Sequence, residues 1–484
     1  MRRFFAQNLL FMIGLNLLVK PFWIFMIDRT VQNKVGHASY GIYQALVNLG
    51  LVFQILLDFG INNYNSTALA QKPKQINKLF PAMLSARAVL GIVYIIIVLC
   101  ISLALGYRGW QLALLMGILF TQFANAILQF IRSNVNGLHF FKADGLLSIS
   151  DRLLMIFICG ALLWLPSTAS NFKIEWFVWA QLVSYSLAVL FGIIVLKKLT
   201  DVKIRFSFNG KRVGQIVRKS LPYALLIFLM SIYTRIDMML VERMCGAEGS
   251  EQAGVYAAAY RLLDVGNMFG LMFAGMLLPL FGRILSKGQS VAPIVQFSVN
   301  MLIPVSILVA VTSFFFNSSI MHMLYRNVSD LDIQVFTYLM LAFPAFSLSN
   351  IYSTLLTANG DLKSLNIIAL LGVVINIGLN ILLIPKYQSL GAAISALVTQ
   401  SVLSILFLIY ASKKAQLAFR WKRLFLFLVY ALALIITANL VQQLSISWLF
   451  QSGILVGFGI VLLLVLRFLD LSKVGLLFSG ESKD

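Results

Sequence analysis

Charged side chains are scarce in this sequence: they make up 11% of its 484 residues, and only 17 residues are acidic. A soluble domain carries roughly 25% charged residues, so the composition excludes a soluble globular protein. Intrinsic disorder is excluded as well, because it requires low hydrophobicity and 60% of these residues are hydrophobic. The composition therefore predicts an all-α membrane protein with many spanning helices.

Cysteine and histidine are equally rare, with three residues of each. They are Cys100, Cys159, Cys245, His37, His139 and His322. They form no CxxC pair, HExxH motif or other cluster, so the sequence predicts neither a disulfide framework nor a metal site. The phosphate-binding pattern GxxxxGK[ST] is also missing, which argues against a nucleotide site. We predict a protein without a cofactor.

Fourteen apolar runs, beginning with 8–27 and 40–64, have the length of about 20 residues that a helix needs to cross a bilayer. An even number of spans places both termini on one side of the membrane. That side carries 25 of the 38 Lys and Arg residues and the other side seven, so the positive-inside rule places both termini in the cytoplasm. The charge of +21 thus needs no nucleic-acid partner. Because no loop has room for a catalytic domain, we predict a protein that is not an enzyme.

An internal repeat with an offset of 213 residues relates the segments that begin spans two and eight, pairing Gly41 with Gly254 and Tyr43 with Tyr256. Gly-x-Tyr turns are common before helices, so chance is the alternative explanation. Since six spans separate the copies, they have the same orientation and the repeat is parallel. The predicted parts are an amino-terminal lobe of six helices (1–198), a basic cytoplasmic linker (199–219), a second six-helix lobe (220–412), and two appended helices with a cytoplasmic tail (413–484). Two parallel lobes around a central cavity favour transport by alternating access.

Ten ionisable residues fall in or near the spans, where each costs roughly 2.5 to 3.5 kcal/mol and needs a partner or a wet cavity. They are Lys20, Asp58, Arg87, Arg132, Asp151, Arg152, Arg235, Asp237, Arg261 and Asp264. Arg132, Asp151 and Arg152 are predicted near cytoplasmic ends, where snorkelling to the membrane surface accounts for them. The others form either ion pairs that fix helix register or a polar cavity whose surplus cations receive an anionic substrate. Arginine suits phosphate, because its planar fork donates two parallel hydrogen bonds.

The spacing of the charges on spans seven and eight limits how they pair. Arg261 and Asp264 are three residues apart, so they share a helical face and can pair directly. Arg235 and Asp237 are two apart and diverge, so at least one of them needs a partner on another helix.

Motifs between residues 356 and 400 resemble the eleventh and twelfth helices of Wzx-type (O-antigen) polysaccharide flippases. These motifs are Ala358-Asn-Gly-Asp-Leu-Lys363, Asn376-Ile-Gly-Leu-Asn380, Ile384-Pro385 and Gly391-Ala-Ala-Ile-Ser-Ala396. Arg235-Ile-Asp237 and Gly254-Val-Tyr256 are similar to the same family, as is the number of spans. The chain is thereby identified as a member of the multidrug/oligosaccharidyl-lipid/polysaccharide exporter superfamily. One departure is Gln388, where the family often has glycine, and this change affects a turn.

The resemblance implies translocation of a polyprenyl-diphosphate-linked oligosaccharide from the cytoplasmic to the outer leaflet of a bacterial inner membrane, as in lipopolysaccharide or other polysaccharide biosynthesis. Its partners would be that lipid-linked substrate, membrane lipid and other polysaccharide-assembly proteins. Spans thirteen and fourteen would help to form a groove for the lipid tail. The predicted diphosphate contacts are Arg261 and Arg235, with Lys20 and Arg87 behind them. The predicted sites for a coupling proton or cation are Asp58, Asp237 and Asp264.

Two other functions remain open on the sequence. A cation-coupled multidrug exporter of the same superfamily would use acidic residues of the amino-terminal lobe, where Asp58 alone gives thin support. A membrane glycosyltransferase or polysaccharide polymerase would need a catalytic cluster on a sizeable outer loop, and these loops are short.

Overall fold

The computed structural model describes residues 14, 18–19, 21–62, 65–66, 69, 75–138, 140–200, 202, 205, 210–418 and 421–468. These residues form helices and connecting turns, and no strand occurs among them. The α-helices are α1 (Arg29–Val52), α2 (Ile76–Ala104), α3 (Trp110–Gly137), α4 (Phe141–Trp164), α5 (Ile174–Leu199), α6 (Gly210–Met244), α7 (Gly249–Ser286), α8 (Ala292–Phe315), α9 (Asn317–Leu324), α10 (Asp330–Leu341), α11 (Phe343–Ala358), α12 (Leu362–Lys414), α13 (Trp421–Gln442) and α14 (Trp448–Val465), with a single turn at Pro166–Ala169. The predicted all-α fold is confirmed.

Eleven helical stretches among the described residues are long and apolar enough to cross a membrane. One of them, α12, contains predicted spans eleven and twelve, which meet at Gln388. Spans one and two lie partly outside the described residues, as do both chain termini. Large apolar side chains project from the spans, including Phe157 at 74% exposure and Leu382 at 66%. Such a surface is suited to lipid rather than to water.

The chain folds as two compact units, Met1–Ala257 and Ala258–Asp484, and the boundary falls inside α7. The predicted lobes at 1–198 and 220–412 stay a prediction. Residues of the predicted linker are helical from Gly210 onward, because α6 begins there.

The first two predicted spans meet at a kink at Gly36, and the residues on both sides of it are helical where the sequence predicted a loop. A π-helix, Trp23–Asp28, leads directly into α1. The only interruption inside α1 is Gly36, whose φ of 79° and ψ of 170° lie in a region that side chains disfavour. Asp28 and the residues that follow are therefore helical, and they belong to the helix bundle rather than to a connecting loop.

The two glycines that the repeat pairs, Gly41 and Gly254, contact each other inside the first unit. A Cβ on Gly41 would lie 2.6 Å from the backbone nitrogen of Gly254 and 1.9 Å from the carbonyl oxygen of Ser250. A Cβ on Gly254 would lie 2.1 Å from the carbonyl oxygen of His37. Only glycine allows α1 and the start of α7 to approach this closely. Nearby, the Gln32 side chain donates a hydrogen bond of 3.0 Å to the Gly254 carbonyl oxygen.

In the second unit, α13 and α14 pack against α8 around a core that includes Leu308, Tyr430 and Leu434. The Tyr430 hydroxyl donates to the carbonyl oxygen of Gly459, at 3.3 Å. A Cβ on Gly459 would lie 2.5 Å from a methyl carbon of Leu308, so the glycine permits close packing. The predicted appendage of two helices is therefore firmly attached to this unit.

Candidate functional site

A polar cavity of about 210 Å³ lies among the helices of the first unit. Its walls come from the π-helix, α1, α3, α4 and α5, together with Gln54 on a short 3-10 helix. π-helical turns occur often at functional sites, and this one supplies Trp23 and Asp28 to the wall. Of the walls, α3, α4 and α5 are long and apolar enough to cross a membrane.

Helical spacing explains how polar side chains of apolar helices come to face one cavity. On α3, Ile118, Thr121, Gln122 and Asn125 follow the spacing i, i+3, i+4 and i+7, which defines one face of a helix. The polar residues of this face therefore point together into the cavity.

Tyrosines hold the acidic and amide side chains of the cavity in place. The Tyr40 hydroxyl donates to Asp28 Oδ1, at 2.9 Å, and accepts a hydrogen bond from the Gln44 amide. The Gln181 amide donates to the Tyr43 hydroxyl, at 2.7 Å. These bonds link α1 to the π-helix and to α5, so the wall is pre-organised.

Arg152 lines the same cavity, which corrects the prediction that it reaches the cytoplasmic surface of the membrane. It lies near the middle of α4, and its guanidinium lies 5.5 Å from the Trp23 ring and 6.0 Å from the Tyr185 ring. Its Nε is 3.5 Å from Asp151 Oδ2. These contacts keep the guanidinium inside the helix bundle.

Arg87 and Asp58 form an ion pair in the first unit, and neither of them lines the cavity. Arg87 is 1% exposed, and it also donates to the carbonyl oxygens of Leu57 and Ala126, at 3.1 and 3.0 Å, and to Asn62 Oδ1, at 2.7 Å. Four acceptors thus engage this guanidinium. The geometry favours the ion-pair interpretation, and the assignment of Arg87 as a substrate contact stays a prediction.

Asp237 and Arg235 lie on α6, also in the first unit. Asp237 is buried and accepts a hydrogen bond of 2.8 Å from the Tyr256 hydroxyl on α7. The two-residue spacing led us to expect a partner on another helix, and Tyr256 is one. Arg235 is partly buried.

Arg261 and Asp264 lie on α7 in the second unit, where Arg261 is 7% exposed. Its Nη1 donates to the Tyr325 hydroxyl, at 3.2 Å, and that hydroxyl donates to the Ala258 carbonyl oxygen, at 3.1 Å. Asp264 is partly buried one turn further along α7. Lys20, the remaining predicted contact, lies outside the described residues.

Tyr107, in the connection between α2 and α3, joins a further charged cluster of the first unit. Its hydroxyl donates to Glu242 Oε2, at 2.8 Å, and the Arg243 guanidinium lies 3.4 Å from the centre of its ring. Arg243 Nε is also 2.8 Å from Glu242 Oε2. Burial, followed by the charge of Glu242, raises the pKa of Tyr107 above its ordinary value. The tyrosine therefore stays protonated and serves as a hydrogen-bond donor.

Among the described residues, no group of three or more His, Cys, Asp or Glu side chains is arranged to hold a metal ion.

The cavity was missed at the level of the sequence because its lining is mostly uncharged. A search for ionisable residues passes over Gln44, Gln54, Asn125 and Gln181, which do not interrupt a hydrophobic run. The signal that was available is their spacing, since amides recurring on one face of an apolar helix need a polar surrounding.

Two family models match the chain. The model described as "Polysaccharide biosynthesis protein" matches residues 6–285, more than half of the sequence. A second model, MatE, matches residues 222–382. No curated protein matches the chain.

Solved structures with the same fold include the lipid II flippase MurJ in an inward closed conformation, with a TM-score of 0.68 and 15% identity over 96% of this chain and 97% of that chain. The inward-facing conformation of a multidrug resistance MATE family transporter has a TM-score of 0.59 and 16% identity, over 82% and 94% of the two chains. A MOP superfamily transporter from Pyrococcus furiosus has a TM-score of 0.56 and 13% identity, over 85% and 94%. The structures that this chain resembles are thus those of transporters and flippases.

Proposed function

We propose that this chain, which belongs to the polysaccharide biosynthesis protein family, moves a polyprenyl-diphosphate-linked oligosaccharide from the cytoplasmic to the outer leaflet of a bacterial inner membrane. It is a multi-pass membrane protein of the MOP superfamily. The observation that carries the proposal is the polar cavity among apolar helices, lined by Asp28, Arg152 and several amides. A polar headgroup that crosses a bilayer needs such a lining, because unsatisfied polar groups cost several kcal/mol in hydrocarbon.

The diphosphate of the substrate is assigned to Arg261 and Arg235, supported by Lys20, as the resemblance to Wzx-type flippases implies. Tyr325 supports this role for Arg261, because its hydroxyl accepts from Nη1 and is itself anchored on a backbone carbonyl. A guanidinium held in this way has a fixed plane, which suits the parallel hydrogen bonds that arginine donates to phosphate. Asp237 and Asp264 are assigned to a coupling proton or cation, and both termini to the cytoplasm.

Segment 413–484 is assigned to the lipid tail. The apolar exteriors of α13 and α14 support this assignment, with Phe425 at 64% and Phe450 at 71% exposure. A long prenyl chain needs an apolar surface, and α13 and α14, which pack on α8, supply one.

A cation-coupled multidrug exporter is the second candidate, favoured by the MatE match to residues 222–382. The two candidates differ in their cargo. A flippase acts on a lipid-linked glycan and restores surface glycan, whereas a drug exporter lowers the intracellular concentration of cationic dyes.

The test is complementation in a strain that lacks the gene for this chain. We expect the wild-type chain to restore surface glycan without changing dye accumulation, and Arg261→Ala to abolish restoration at unchanged expression and insertion. Charge-assisted hydrogen bonds contribute about 1.5 to 3 kcal/mol each, so losing two lowers transport by roughly a hundredfold or more. Arg283→Ala is the matched control, since Arg283 is exposed at the end of α7.

Normal glycan in Arg261→Ala would remove Arg261 from the mechanism. Dye efflux without glycan restoration would replace the flippase with the drug exporter.

A further inference from the structure

We infer that the cavity of the first unit binds one uncharged sugar ring of the oligosaccharide, separately from the diphosphate. The inference rests on the proposed function and deepens it, because it assigns a particular part of the substrate to these residues. The juxtaposition that carries it is amide side chains from α1, α3 and α5 beside aromatic rings in one small cavity.

The charges around the cavity do not suit a phosphate group. Among the described residues that line the cavity, Arg152 is the one cation and Asp28 the one carboxylate. A second carboxylate, Asp151, lies 3.5 Å from the Arg152 guanidinium. These three described groups sum to one negative charge, which disfavours an anion in a medium of low dielectric constant. A diphosphate is therefore expected elsewhere in the molecule.

A small metal cation is disfavoured by Arg152. This guanidinium already lies beside the Asp151 carboxylate and over the rings of Trp23 and Tyr185, which is where a cation would be most stable. A second cation would have to approach it within the same small volume, against like-charge repulsion.

The amides supply what sugar hydroxyls require. A hydroxyl both donates and accepts hydrogen bonds, and a primary amide offers two donors and one acceptor oxygen. Within the described part of the chain, no protein group bonds to the Gln54 side chain, which is only partly buried beside the cavity. Gln44 and Gln181 use their nitrogens to hold Tyr40 and Tyr43, which leaves their oxygens as acceptors toward the cavity.

The volume of the cavity and the apolar part of its wall suit a single sugar ring. The cavity of about 210 Å³ is smaller than the roughly 300 to 1,000 Å³ of sites for drug-sized ligands. Val47, Leu51 and Ile118 contribute apolar surface, and Tyr185 contributes an aromatic ring. The C–H face of a pyranose can lie against such a wall while its hydroxyls reach the amides.

The test uses the full-length protein in detergent and, as the probe, the repeat-unit oligosaccharide released from the host's lipid-linked pool without lipid or diphosphate. We expect the probe to bind the wild type, and Gln54→Leu to weaken binding by roughly three- to tenfold for the hydrogen bonds lost. Asn125→Leu is expected to weaken it as well. Since no hydrogen bond joins the Gln54 side chain to the described protein, its replacement removes no internal hydrogen bond. Gln296→Leu, on α8 in the second unit, is the matched control and is expected to bind like the wild type.

A parallel measurement with lipid-linked substrate in vesicles separates this inference from the proposed function. Translocation by a wild type that does not bind the free oligosaccharide would overturn the sugar site and leave the flippase standing. Equal binding by Gln54→Leu and Gln296→Leu would overturn its location. If sodium or protons alone stabilise the protein and the oligosaccharide does not, the sugar site would be overturned in favour of a cation site. Failure of the wild type to translocate the lipid-linked substrate would instead overturn the flippase proposal.

Discussion

The ion pair between Arg87 and Asp58 provides a direct test of whether a buried charge serves the fold or the substrate. Arg87 is 1% exposed and Asp58 is 30% exposed, and two backbone carbonyls and Asn62 also hold the guanidinium. Removing one partner of a buried ion pair costs about 3 to 5 kcal/mol, because the other charge is left buried and uncompensated. Asp58 keeps some exposure, so we expect Asp58→Leu to cost about 3 kcal/mol, at the lower end of this range.

Arg87→Met is expected to cost a similar amount, since it leaves Asp58 and several acceptors without their donor. The double variant Arg87→Met/Asp58→Leu removes both charges at once. Its cost is expected to be smaller than the sum of the two single costs by about 2 to 3 kcal/mol, because neither charge remains uncompensated. Equilibrium unfolding in detergent measures this double-mutant cycle, and surface glycan in the complemented strain measures transport.

A structural pair predicts that the double variant is about as stable as either single variant and exports as much glycan as Asp58→Leu does. If the double variant is as stable as Asp58→Leu but exports no glycan where Asp58→Leu still does, Arg87 contacts the substrate, as the sequence predicted. If Asp58→Leu costs less than about 0.5 kcal/mol, the pair contributes little to the fold and our reasoning about its burial is refuted.

Three further expectations follow from backbone geometry and from one thiol. Gly254→Ala should destabilise the first unit by about 1 to 3 kcal/mol, because its Cβ would meet the His37 carbonyl oxygen at 2.1 Å, and unchanged thermal unfolding would contradict the close approach. Gln388→Gly should raise stability by about 1 kcal/mol, because it relieves a residue at φ 51° and ψ −132°, whereas Gln388→Ala should give no gain. Burial, and then the charge of Glu248, raise the pKa of the Cys245 thiol to about 11, and only the thiolate reacts with a maleimide. In a variant that keeps only Cys245, the labelling rate should therefore rise about tenfold per pH unit from pH 7 to 9. A plateau of the rate below pH 9 would contradict the raised pKa.

The sequence was sufficient to predict the helical fold, because apolar runs of spanning length leave few other structures. It was less informative where the chain departs from a simple run. Asp28 follows an apolar segment and precedes Arg29, a pattern that indicates a loop, yet the helix continues through a π-helical turn to Gly36. Hydropathy does not distinguish a polar residue that ends a span from one that faces a cavity within the helix bundle.

The sequence also does not show which buried charged residues line the candidate site. Arg87 and Arg152 are both arginines inside predicted spans, and their composition alone does not separate them. Their difference arises from tertiary contacts: backbone carbonyls and Asp58 surround Arg87, whereas Arg152 lies over Trp23 and Tyr185 beside open volume. At residue 388 the sequence was informative. The resembled family often has glycine where this chain has Gln388, and the backbone there has a positive φ that favours glycine.

The crossing of Gly41 and Gly254 also bears on how quickly the two helices can separate. Helices that pack by ridges and grooves come apart only when interlocked side chains move out of each other's way. Here backbone faces backbone, with no side chain of either glycine between α1 and α7, and the hydrogen bond from the Gln32 side chain to the Gly254 carbonyl oxygen must break on separation. The surfaces uncovered on separation would include the carbonyl oxygens of Ser250 and His37, which water solvates readily. Separation at this point therefore requires the Gln32 hydrogen bond to break, and it requires no rearrangement of side chains on the two glycines themselves.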